Sequence, residues 1–139
     1  MKQHAAHLLV IDRVSRLLYP VLLAAALWVL LRGHNEPGGG FIAGLIAVTA
    51  SVLWAFAHGS RAARQRLPLR SPGALAGTGV LLAALSGLPG AWTGQPFLTH
   101  LWAGPVSTVM LFDLGVALAV WGALAGYVLP LLMTEEEPR

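Results

Sequence analysis

Cysteine is absent from the 139 residues, which removes disulfides, thiolate nucleophiles and Cys-ligated zinc in one step. Charge is nearly as scarce: Asp, Glu, Lys and Arg make up 11% of the chain, where roughly 25% is ordinary for a soluble domain. Lysine occurs once, as Lys2, so eight of the nine basic residues are arginine. There is no hydrophilic stretch long enough to fold as a separate soluble domain. Basic residues flank apolar runs without forming a stripe, which argues against nucleic-acid binding. A phosphate loop would need Gly-Lys-Ser/Thr, and a zinc-protease helix His-Glu-x-x-His; neither is present. With no Cys, no histidine in the interior of the apolar runs, and Ser86 lacking an evident base, no nucleophile–base pair is expected to assemble within a membrane, so an enzyme is not expected.

What the chain has in abundance is apolar side chains, at 56%. Such a surplus on so short a chain must face something other than water, and lipid is the simplest candidate. The apolar residues fall into four long runs, from about 13 to 32, 41 to 58, 73 to 92 and 106 to 133. A bilayer core takes about 20 helical residues. None of the runs alternates, and lipid forbids open sheet edges, so each is expected to be a helix. The first run passes through Trp28 and Leu31 straight into Arg32 without a small-residue cleavage pattern, and reads as a retained helix rather than a signal peptide. The expectation is an all-α membrane protein, a single unit over residues 1–139 with four transmembrane helices.

Orientation follows from the basic residues. Lys2, Arg13, Arg16, Arg61, Arg64, Arg66, Arg70 and Arg139 fall on one side of a four-crossing chain and only Arg32 on the other, so both termini are expected in the cytoplasm. By the same argument Tyr19, Trp54 and Tyr127 belong near the inner interface and Trp28, Trp92 and Trp102 near the outer one. Trp121 falls at mid-membrane and is expected to pack against a neighbour. Glu135, Glu136 and Glu137 form a solvated tail. Gly40 with Gly44, Gly73 with Gly77, and Gly122 with Gly126 have the four-residue spacing that lets helix backbones approach, within the chain or with another subunit.

Between the first two helices lies Arg32-Gly33-His34-Asn35-Glu36-Pro37-Gly38-Gly39-Gly40-Phe41. Three glycines after a proline do not continue a helix cheaply, and the next helix begins near Gly40 with its positive dipole end facing this loop. A tight turn with Glu36 as a capping carboxylate accounts for the spacing. The acid inside the fourth run, Asp113, costs ~2.5–3.5 kcal/mol on insertion scales if left in hydrocarbon, so it should face protein or water. His34, Glu36, His100 and Asp113 all fall toward the outer side. Carboxylate oxygens suit sodium and histidine relays protons near neutral pH. The alternative for Asp113 is a hydrogen bond that only fixes helix packing. His100, beside Trp102, equally suits an interfacial residue facing headgroups.

The string RGHNEPGGGF followed by IAGLIA resembles the signature of the B subunit of Mrp-type multisubunit cation/proton antiporters. GQPFLTH at Gly94–His100 and LFDLGV at Leu111–Val116 extend the resemblance, which runs from the first helix through the fourth; the segment after Trp102 is shorter than the family pattern. The resemblance implies a small subunit in a bacterial or archaeal cytoplasmic membrane, working with sister subunits to exchange sodium or another monovalent cation for protons. In that family the large subunits carry proton channels built on intramembrane lysines and glutamates. This chain has no intramembrane lysine, so its implied role is to help form the cation or proton-access route. The motif also brings Pro37 and Phe41 forward as route residues, with Gly33, Asn35, Gly38, Gly39 and Gly40 as the glycine loop. The partners implied are sister subunits, membrane lipids, Na+ and H+. No cofactor or resident metal is expected, and a sodium ion in transit would pass near Asp113. Two other readings remain: a purely structural subunit of this or a related hydrogenase or respiratory complex, and a stand-alone homodimeric exporter.

Overall fold

A computed structural model of the chain describes residues 2–32, 39–103 and 106–134, the side chains of 2–9, Val106 and Thr134 excepted. The elements in order are α1 (Lys2–Arg32), α2 (Gly39–His58), α3 (Ser60–Gln65), α4 (Pro72–Leu85), α5 (Leu88–Trp92), β1 (Trp102–Ala103), β2 (Val106–Ser107) and α6 (Thr108–Thr134). Among the described residues four helical stretches are long and apolar enough to cross a bilayer: Val10–Arg32, Gly39–His58, Pro72–Trp92 and Thr108–Met133. The expected all-α, four-helix membrane class holds. The extended backbone among these residues is one antiparallel pair, Trp102 opposite Ser107 and Ala103 opposite Val106.

Local chemistry sets the helix ends. Gly59 takes φ 86°, a left-handed conformation that costs glycine little, and turns the chain from α2 into the short α3. Ser71 caps α4 by accepting from the Ala74 amide at 3.3 Å, and Pro72 follows at the first helical position, where its missing N–H is no loss. The third span is not one unbroken helix. α4 stops at Leu85, Ser86 and Gly87 turn, and α5 carries the chain on to Trp92. At the start of α6, Ser107 Oγ accepts from the Val109 amide at 3.1 Å, while Leu101 and Thr108 exchange two bonds of 3.1 Å. Pro20 and Pro130 lie inside α1 and α6.

The four spans stand in a row. α1 packs on α2, α2 on α6, and α6 on α4, with only sparse contact between α1 and α6. One half of the α2 window is buried, against 17% in α1, 28% in the third span and 22% in α6. The molecule is therefore a single layer of helices with two broad faces. α1, α2, α4 and α6 alternate in direction, giving the layer a basic end, with Arg13, Arg16, Arg61, Arg64, Arg66 and Arg70, and a glycine end where α2 and α6 begin.

Small residues close the seams. A Cβ on Gly40 would collide with the backbone of Asp113, and one on Gly44 with Ala117 and Val120, so both glycines of that pair serve the α2–α6 contact. Gly79 and Gly115 occupy each other's space between α4 and α6, and Gly122 meets Ala76 and the Pro72 carbonyl there. A Cβ on Gly73 or Gly77 would meet nothing within 4 Å from elsewhere in the fold. Two apolar clusters fill the layer. One, toward the basic end, gathers Tyr19, Ala50, Trp54, Leu67, Leu75 and Leu129; the other joins Ala26, Ala43, Ala47 and Ala117. Trp121 does pack against a neighbour, donating from Nε1 to the buried Ser51 hydroxyl on α2 at 2.8 Å.

Candidate functional site

The glycine end holds those of the residues singled out from sequence that the structure describes. Gly33, His34, Asn35, Glu36, Pro37 and Gly38 lie outside the described residues. The rest of the motif starts α2: Gly39 and Gly40 are buried and Phe41 is 52% exposed. Their burial has a direct cause, because the first turn of α2 presses against α6 where Gly40 meets the Asp113 backbone. Asp113 is the sixth residue of α6, roughly 8 Å along its axis from Thr108 at 1.5 Å per residue. It is half-buried and already engaged by other groups of the chain. The first-turn amides of α2 carry the positive end of that helix's dipole, and they arrive at the level of Asp113.

His100 is exposed, and its ring stands edge-on to Phe112, with centroids 6.4 Å apart. Phe112 precedes Asp113, so His100 is fixed near the same turn of α6. The structure thus gathers Gly39, Gly40, Asp113 and His100 at one end of the layer. Among the described residues no three His, Cys, Asp or Glu side chains are grouped as a metal site. The chemistry available is a half-buried acid on α6 whose backbone meets the first turn of α2.

The basic end holds a second polar cluster, which sequence reasoning did not pick out. Asp12 on α1 makes a 2.8 Å contact to His58 Nε2 at the end of α2 and accepts from Arg16 Nε at 3.0 and 3.1 Å. The His58 ring stacks on Trp54 with centroids 3.9 Å apart. Tyr19 stands edge-on to Trp54 at 5.2 Å. The Arg66 guanidinium covers Trp54 at 3.7 Å and reaches Tyr19 at 5.2 Å, close enough for attraction to the ring faces. Tyr19 and Trp54 are each only 6% exposed and belong to the apolar cluster toward this end. The signal available in sequence was partial. Asp12 and Arg16 have i,i+4 helical spacing, but His58 lies 46 positions from Asp12, and no local pattern joins them.

Known proteins place these features in context. Residues 10–126 match the model of a domain related to the MnhB subunit of Na+/H+ antiporter. The Na(+)/H(+) antiporter B subunit of Bacillus subtilis is 35% identical over 131 residues, covering 88% of this chain and 91% of that protein. The protein of the same name from Alkalihalophilus pseudofirmus is 30% identical over 131 residues, covering 88% and 90%. Among solved structures, a chain of the Mrp complex from Dietzia sp. DQ12-45-1b superposes with a TM-score of 0.77 at 31% identity. That alignment covers 97% of this chain and 15% of the other, which is far longer. These relatives are named as antiporter subunits, transport proteins rather than enzymes.

Proposed function

The chain belongs to the family of domains related to the MnhB subunit of Na+/H+ antiporters, and from that membership we propose that it is a membrane subunit of a multisubunit Na+/H+ antiporter in a bacterial cytoplasmic membrane. Sister subunits are its partners, and both termini face the cytoplasm. That orientation rests on the crowding of arginines at the basic end. The layered architecture supports the need for partners, since a single row of helices leaves two wide faces that its own side chains do not cover.

Within the complex, the glycine end lines part of the cation or proton-access route. Asp113 is the central residue in this reading, with His100 nearby; His34, Glu36, Pro37 and Phe41 are assigned to the same route from the sequence motif alone. The observation that carries it is the close approach of Gly40 to Asp113. It sets the backbone of Asp113 against the first turn of α2, and an intramembrane acid at that level is where a proton or sodium ion is taken up and given back in this reading. Asp113→Asn keeps the size and hydrogen-bonding capacity of the side chain and removes its charge. In the assembled complex this variant should retain every subunit but lose most cation-dependent proton movement, measured with a pH-sensitive dye in inverted vesicles. Unchanged exchange removes Asp113 from the route.

A structural role has one observation in its favour, the engagement of Asp113 within the chain. Under that reading Asp113→Asn reduces the amount of assembled complex rather than its rate. Quantifying the subunits in the same membranes separates the two.

A further inference from the structure

We propose that the basic end of the layer carries a binding site for one anionic phospholipid, its phosphate held by Arg16 and Arg66 and one acyl chain laid along α1 toward the membrane centre. The headgroup part is a groove of about 350 Å³ lined by Arg16, Tyr19, Pro20, Leu23, Trp54 and Arg66. Its volume lies in the ~300–1,000 Å³ range of sites that hold small molecules.

The groove's polar side chains are hydrogen-bond donors. Arg16 bonds Asp12 through Nε alone, which leaves its terminal nitrogens for a ligand. Arg66 makes no ion pair among the described residues and lies on the Trp54 ring, an arrangement that holds the planar guanidinium with its edge available for bidentate bonds. The Tyr19 hydroxyl reaches only as far as the Arg66 carbonyl, at 3.5 Å. No carboxylate lines the groove. The nearest placed acid, Asp12, already has its oxygens on Arg16 and His58. A partner for this wall must be rich in acceptors and negative, which describes a phosphate.

The second half of the argument is apolar. Leu23 lines the headgroup groove and also opens a further groove of about 210 Å³, walled by Ala26, Leu27 and Leu30 on α1, by α2, and by Leu118 and Trp121 on α6. Linked through their shared Leu23, the two grooves are the depression assigned to the lipid, charged at the helix ends and apolar toward the membrane centre. From Arg16 to Leu30 is 14 helical steps, roughly 21 Å. Half of a ~30 Å hydrocarbon core is about 15 Å, so the depression accommodates a headgroup and a chain of one leaflet. A free phosphate would satisfy the arginines but leave the apolar half unexplained. Basic pockets between helices on the cytoplasmic side are where anionic headgroups gather.

The test uses the whole antiporter complex, stripped of lipid in detergent and titrated with dioleoyl phosphatidylglycerol or dioleoyl phosphatidylcholine. Bound lipid is counted by native mass spectrometry. Wild-type complex should retain one more phosphatidylglycerol per copy of this chain than complexes carrying Arg16→Gln and Arg66→Gln, with affinity falling about fivefold per arginine. Leu23→Trp, which fills the junction without touching charge, should abolish retention too, and keeps the test decisive if an arginine variant misassembles. Arg61→Gln, on an exposed residue that does not line the groove, should change nothing. Equal retention of the two lipids overturns the proposal, as does displacement by millimolar inorganic phosphate. Disulfide capture of a helix from a sister protein by Leu27→Cys would show that protein occupies the apolar half, and overturns it as well.

Discussion

Gly40 and Gly77 look alike in the sequence, each in a small-residue pair at four-residue spacing, yet the structure gives them opposite surroundings. A methyl group on Gly40 runs into the Asp113 backbone, whereas one on Gly77 meets nothing within 4 Å. Gly40→Ala should therefore destabilise the chain by about 1–3 kcal/mol, the ordinary cost of overpacking, and Gly77→Ala, which lifts the entropic cost of a helical glycine, should leave the isolated chain no less stable. Titrating unfolding in mixed detergent micelles measures both. Trp121→Phe removes a single hydrogen bond to Ser51 and is expected to cost about 0.6 kcal/mol, the average for such bonds between membrane helices. Sequence showed which residues were small or polar. It did not show what stood opposite them, because that depends on which helices become neighbours. Asp113 illustrates the same limit. Its charge in an apolar run was plain to read, but its position against the first turn of α2 came only from the packing.

At the scale of the elements, the four apolar runs were legible because a bilayer demands long, uninterrupted stretches of greasy residues, and these stand out against Arg-bearing loops. Finer features were less so. The pause at Ser86 and Gly87 between α4 and α5, and the short α3 after Gly59, sit among residues whose composition also suits a continuous helix or a plain loop. The start of α4 is better specified, since Ser71 and Pro72 provide a cap and a first-turn residue together. Ser71→Ala should loosen that start by about 1 kcal/mol, visible as faster amide hydrogen exchange at residues 73–75 with little change in α6.

For the molecule as a whole, composition indicated a membrane protein but not a layer. The order α1, α2, α6, α4 depends on contacts between residues far apart in sequence, such as Gly79 with Gly115. The polar cluster at the basic end escaped sequence reasoning for the same reason, being assembled from α1, the end of α2 and the segment after α3. Its charge did point to an orientation, and that is testable: a fluorescent protein fused after Arg139 should fold and fluoresce, and alkaline phosphatase inserted at residues 33–38 should be active. The reverse pattern would move the glycine end to the cytosol and remove the proposed outer access to Asp113.

The spatial order of the helices also bears on how the chain is made. The extensive contact of α4 is with α6 alone, yet α6 leaves the ribosome after α1, α2 and α4. During translation α1 and α2 can pair at once, while α4 waits in the bilayer with Gly79 and its neighbours uncovered. A nascent chain arrested before α6 should therefore hold one finished hairpin and one orphan helix, a form that membrane quality-control proteases are suited to clear.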